Sequence, residues 1–135
     1  MENIDSECVG RVHYIMPSWS GFIASPHYPD NYDWNVDCQW RLLAQRHQSI
    51  RITLVDFELD VRLDGLCHDT VRVIDVQPDR LIFDDCGVLG KQTLNTAGHE
   101  AIVQFHTGHS GQTRRGFLLK YDGQLCYCCW LSCVM

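Results

Sequence analysis

Along most of this chain apolar residues recur at every second position. In SIRITLVDFEL (49–59), Ile50, Ile52 and Leu54 fall on one face and Arg51 and Thr53 on the other, the period-2 signature of a half-buried strand. VDCQWRLL (36–43) alternates likewise. TVRVIDV (70–76) repeats the pattern, and Gln77-Pro78-Asp79 then turns the chain into RLIFD (80–84), its hairpin partner. AIVQFHT (101–107) and GFLLKYD (116–122) complete the series, and helical periodicity nowhere exceeds two turns. Short, mostly antiparallel strands at this spacing predict an all-β fold, either a two-sheet sandwich or a barrel.

Between the apolar GFIA and DCQWRLL lies SPHYPDNY (25–32). Pro26 and Pro29 preset φ and remove donors, while Asp30-Asn31 supplies turn chemistry, so the stretch is expected to be a stiff crossing between sheets. Tyr28 and Tyr32 are expected to cover the sandwich edge with their hydroxyls near water. Trp40 alternates with Cys38 and Leu42 toward the core; Trp34 and Trp19 fall in loops, where an exposed indole could grip a partner.

Composition narrows the function. The chain has 135 residues and a net charge of −6, which suits one globular domain and gives no basic field for nucleic acid. Its 8 cysteines exceed what a reduced cytosolic domain usually carries. Cys8, Cys38, Cys67 and Cys86 are widely spaced and read as a disulfide framework; Cys126, Cys128, Cys129 and Cys133 crowd the end. If neighbours pair, the closed loops contribute ~3 kcal/mol each by chain entropy. This points to an oxidising compartment, although MENIDSECVGRV is acidic and lacks the apolar run of a secretory leader. That start reads as a mature piece, an incomplete gene model, or one module of a longer chain. No stretch approaches the length of a bilayer-spanning run. The uncharged tail LCYCCWLSCVM is read three ways: the opening of a membrane segment, a misread exon end, or a second cysteine module cut short. Asn95-Thr96 is followed by Ala97, so no N-glycosylation acceptor is present.

Cys8, GFIASPHYPDNY, Cys38-Gln39-Trp40, IRITLVDFELD, Cys67 with Asp69 and VRV, LIFDDCG and IVQFHTGHSGQTRRGFLLKY together resemble the ordered signature of a CUB domain. The resemblance covers about residues 8–122, leaving 1–7 as an extension and 123–135 as a tail. It implies an antiparallel two-sheet, jellyroll-like β-sandwich with disulfides Cys8–Cys38 and Cys67–Cys86. It also implies a secreted or ectodomain module that binds a protein partner and has no catalytic activity of its own. The alternatives are a carbohydrate- or glycosaminoglycan-binding sandwich and a non-catalytic appendage of a secreted protease. A membrane enters only if the tail continues into an anchor.

Many members of that family bind Ca2+ at one end of the sandwich, where the resemblance places Tyr32, Asp60 and Asp69. Where calcium-binding members carry a further Asp, this chain has Gly108, which removes one carboxylate from an ion that takes six or more oxygens. Asp60 is shorter than the usual Glu, and Asp69 follows Cys67 by two residues where the family commonly has three. Asp64 is the substitute within reach. These departures favour Asp60 and Asp69 as loop carboxylates or caps to backbone amides. Trp34, Tyr32, Arg114 and Arg115 are the candidate partner contacts, the two arginines for an acidic protein or a sulfated sugar.

Other chemistry is thinly supported. His106 and His109, with His99 or His68, could be imagined around zinc, and Cys126-x-x-Cys129 around a soft metal, but neither has a second supporting element. No G-x-S-x-G or H-E-x-x-H motif is present. Asp84-Asp85 and Asp56/Glu58 are carboxylate pairs, yet neighbouring strand residues point to opposite faces.

Overall fold

The computed structural model describes residues 4–5, 8, 10–16, 18–77 and 79–125. Its strands are β1 (Ile4–Asp5), β2 (Arg11–Tyr14), β3 (Ser20–Ala24), β4 (Asp37–Leu43), β5 (Gln48–Glu58), β6 (Thr70–Asp75), β7 (Arg80–Asp85), β8 (Gln92–Asn95), β9 (Glu100–His106) and β10 (Gly116–Leu125). They form two five-stranded sheets, ordered β1-β3-β10-β5-β8 and β2-β4-β9-β6-β7. Pairing is antiparallel except that β1 runs parallel to β3 and β2 parallel to β4. The expected sandwich is therefore the observed one.

Alternation explains the packing. Cys38, Trp40 and Leu42 of β4, Val71 and Val73 of β6, and Ala101, Val103 and Phe105 of β9 all face inward and are buried. On the opposing sheet Ile50, Ile52 and Leu54 of β5 do the same. A register shift against β10 then leaves Val55 as an extra residue: Leu118 pairs with Asp56 while Leu119 pairs with Leu54. This bulge reverses the parity of β5, so Phe57 and Leu59 also reach the core. It places Asp56 and Glu58 two apart on the other side, sharing a face. At the centre Trp40 meets Phe117 edge-on at 5.8 Å, and Phe105 meets Phe117 at 5.2 Å.

The cysteines pair as the resemblance implied, Cys8 with Cys38 and Cys67 with Cys86. The hairpin at 70–76 and 80–84 is β6 and β7. Five elements differ from the sequence expectation. Strands β1, β2, β3 and β8 lie outside the predicted series: the first three are short, and β8, exposed at three of its four positions, carries no apolar stripe. The last strand also runs three residues farther than expected: Gly123, Gln124 and Leu125 pair with Ile50, Ser49 and Gln48. There Gly123 leaves room for the Gln48 amide, since a Cβ would lie 2.8 Å from Gln48 Oε1. The assigned tail thus begins in the sheet, while Cys126, Cys128, Cys129 and Cys133 lie outside the described residues.

Strand direction gathers the loops. β3, β5, β7 and β9 end, and β4, β6 and β10 begin, at one pole, so loops 25–36, 59–69 and 107–115 meet there.

Candidate functional site

The proline–tyrosine corner, in which the Tyr28–Pro29 peptide is cis, supplies the floor of this pole. Tyr32 is buried at 2% exposure and sets its ring edge-on to Phe105 at 5.3 Å. The expectation of a hydroxyl near water is not met by Tyr32, while Tyr28 is half-buried. Tyr32 Oη donates to Asp69 Oδ2 at 2.7 Å and accepts the Asp60 N–H at 3.0 Å. Burial, and then the bond to Asp69, push this phenol far above its ordinary ionisation range.

Asp69, itself 2% exposed, accepts the Gly108 N–H on its other oxygen at 2.8 Å. Asp60 in turn accepts the N–H of Val61 at 3.0 Å and that of Gln112 at 3.3 Å. One buried carboxylate and one phenol therefore fasten loops 25–36, 59–69 and 107–115 from beneath. More bonds join the first and last loops at the surface: Asn35 N to Gly108 O at 2.9 Å, Thr107 Oγ1 to Asp33 O at 2.9 Å and Asn31 Nδ2 to Thr113 O at 3.1 Å.

A second cluster sits beside the first. Arg115 forks onto Asp56, Nε to Oδ2 at 2.6 Å and Nη2 to Oδ1 at 2.7 Å, and its Nη1 donates to Glu58 Oε1 at 2.6 Å. Tyr28 Oη donates to the same Asp56 at 2.7 Å. The bulge turns the face that the two acids share away from the core, and the single guanidinium pairs with both of them. Arg115 holds the Asp56 carboxyl below the usual range, and burial together with Asp56 pushes Tyr28 up to about 12. A depressed carboxyl contributes stability that is full above its unfolded value, roughly 3.9, and is lost as pH falls through the lower folded value. Asp56→Asn is therefore expected to flatten the fall in melting temperature below pH ~4, measured by circular dichroism against the parent chain.

The predicted contact residues separate accordingly. Trp34 is 51% exposed, with its indole N–H held by Gly111 O at 3.2 Å. Tyr32 is too deep to touch a partner, and the Arg115 guanidinium is engaged by the chain's own acids. Arg114 is half-buried and offers its carbonyl to Tyr32 N at 3.0 Å.

The side chains that meet here supply two carboxylates, Asp60 and Asp69, toward the six or more oxygens that calcium takes. The two carboxylates that meet here already accept N–H or O–H donors, and the third acidic position is Gly108, which presents an N–H instead. Asp64 is exposed in the tight turn of the 59–69 loop. Among the described residues one group of three metal-ligating side chains comes close enough to share an ion, Cys67, Asp85 and Cys86. Both of those cysteines are in the disulfide. The zinc candidates do not converge either: His106 is bonded to Asp37 at 2.6 Å, and His68, His99 and His109 join no such group among the described residues.

The CUB domain family profile matches residues 8–121. The chain belongs to the CUB domain family. It is 30% identical over 111 residues to cubilin from Rattus norvegicus, covering 75% of this chain and 3% of cubilin. It thus spans a small part of this relative. Among solved structures, the full extracellular region of zebrafish Gpr126/Adgrg6 superposes with a TM-score of 0.73 at 28% identity, over 85% of this chain and 14% of that one. The MASP-1 CUB2 domain bound to Ca2+ superposes with a TM-score of 0.74 at 21% identity, over 85% and 99% of the two chains, and shows the shared fold.

Sequence reasoning missed the Arg115 clamp and the Asp69–Gly108 bond. The first had a signal, two acids at i and i+2 in β5, but only the bulge puts them beside β10. The second depends on a backbone amide and had none.

Proposed function

We propose that this CUB domain is an extracellular, non-catalytic protein-binding module that takes its partner on the 25–36, 59–69 and 107–115 rim. One observation carries the reading: Trp34 stands half-exposed and oriented by its own N–H bond, on loops that are fastened from below. An aromatic side chain already held in place loses little freedom on binding and suits an interface hot spot. Around it stand the exposed Asp30 and Asp33 and the half-buried Asp60, so a partner presenting Lys or Arg is favoured electrostatically. The two disulfides and the extracellular region of the Gpr126 relative support placement outside the cell. A sulfated sugar is a poorer fit, because the Arg115 guanidinium is already engaged and the chain carries −6.

Panning a phage-displayed random-peptide library on the folded domain tests the reading. Selected peptides are expected to be rich in Lys and Arg, and Trp34→Ala is expected to weaken them by roughly tenfold or more. Gln104→Ala, on the outer face of the second sheet, is expected to leave binding unchanged. Equal binding by the Trp34→Ala variant, or capture by heparin in place of peptides, would sink the proposal.

A further inference from the structure

Four large aliphatic side chains at the rim pole have no place in the core. Leu63 and Leu66 are each 63% exposed, Val61 is 52% and Val88 is 59%. They do not sit on slack chain. Leu63 N donates to Leu66 O at 2.9 Å and Leu66 N to Leu63 O at 3.0 Å, closing a two-residue hairpin turn. Asp64 and Gly65 occupy its central positions with φ of 56° and 79°, the pair of positive values that such a tight turn requires. The base is held twice more. Cys67, next to Leu66, is joined to Cys86, and Leu59 N to Gly87 O at 2.8 Å with Gly87 N to Asp60 O at 3.1 Å ties the same two loops. Val88, two residues past Cys86, bridges to Glu58 at the same end of β5.

A rigid turn that presents leucine outward, in a position where a polar residue would cost nothing, marks a contact surface. Its charge selects the occupant. Arg62 is paired with Asp85 at 3.1 Å, which leaves Asp60 and Asp64 as the uncompensated charges beside the aliphatic cluster. A second copy of this chain would bring the same acids face to face in a two-fold contact, and an anionic lipid surface would be repelled likewise.

We infer that the Leu63–Leu66 hairpin is the apolar half of the binding rim, and that it accepts a partner segment in which a Lys or Arg lies beside an aliphatic or aromatic residue. The aliphatic side chain packs on Leu63, Leu66, Val61 and Val88, and the cation lies against Asp64 and Asp60. This rests on the protein-binding reading above and adds a second contact, on a loop other than that of Trp34.

The probe is the same peptide library, with the selected peptides sorted by sequence and titrated into isotopically labelled domain. Basic residues within two positions of Leu, Ile, Val or Phe are expected to dominate. The backbone amide resonances of 61–66 are expected to shift on titration, and Leu63→Ser together with Leu66→Ser is expected to weaken binding roughly tenfold. The melting temperature of that variant should stay close to the parent's, because both side chains are already solvated. If the selected peptides shift only residues around Trp34, and the double serine variant binds them as the parent does, the hairpin inference fails while the rim reading stands. If neither Trp34→Ala nor the serine variant matters, both fail. Concentration-dependent dimerisation that the serine substitutions abolish would overturn the choice of occupant.

Discussion

Asp69→Ala is expected to destabilise the domain by about 2–6 kcal/mol, far more than an ordinary loop substitution. The carboxylate is 2% exposed and each oxygen has its own donor, the Tyr32 hydroxyl at 2.7 Å and the Gly108 N–H at 2.8 Å. Truncation leaves both donors without an acceptor, at roughly 1–3 kcal/mol each. Asp69→Asn keeps one acceptor for Gly108 and should recover part of the loss. Because Tyr32 also accepts the Asp60 N–H, Tyr32→Phe should be costly by itself, and the double variant should lose less than the sum of the two singles. Urea unfolding followed by tryptophan fluorescence measures all four chains. An Asp69→Ala midpoint equal to the parent's would mean that the three loops are not fastened as described.

Gly108→Asp is expected to make the stability of the domain depend on calcium, whereas the parent's melting temperature should be the same in calcium and in chelator. A side chain fits at this position. A Cβ would lie 3.5 Å from His68 O and 3.7 Å from Asp69 Oδ1, ordinary contacts, and Gly108 is not among the positive-φ glycines. The new carboxylate would stand beside Asp69 and Asp60, so without an ion the variant should melt below the parent through like-charge repulsion. An ion bound only by the folded form adds RT ln(1 + [L]/Kd), about 2.7 kcal/mol at a hundredfold excess over Kd. For a domain of this size that is a rise of roughly 8–16 °C, at about 3–6 °C per kcal/mol. Differential scanning calorimetry in millimolar calcium and in EDTA decides the matter. A parent chain that itself gains several degrees in calcium would show that carbonyls and water complete a shell here without the third acid.

The sandwich was legible wherever one side of a strand is buried and the other wet. Ile50, Ile52 and Leu54, Cys38, Trp40 and Leu42, and Val71 and Val73 announce their faces by alternation alone, and all are buried. The edge strand Gln92–Asn95 is illegible for the same reason, since three of its four residues are exposed. At the rim the acids were found but not their partners. Asp69 could be named as an amide cap, yet its donors come from residues 37 and 39 positions away in sequence, Tyr32 and Gly108. Arg115 was misplaced as a free cation because the clamp forms only once a bulge has turned Asp56 and Glu58 toward β10. Exposed leucines in a tight turn leave no periodic trace and become visible only in three dimensions.

One strand runs the full height of the molecule. β10 starts at Gly116 against Glu58 beside the rim loops and finishes at Leu125 against Gln48, a rise of roughly 31 Å at the spacing of an antiparallel strand. Whatever polypeptide continues beyond Leu125 therefore departs from the antipode of the proposed contact surface. A tandem neighbour or a tether joined there would hold the domain by its heel, with Trp34 and the leucine turn directed outward and free of steric shadow.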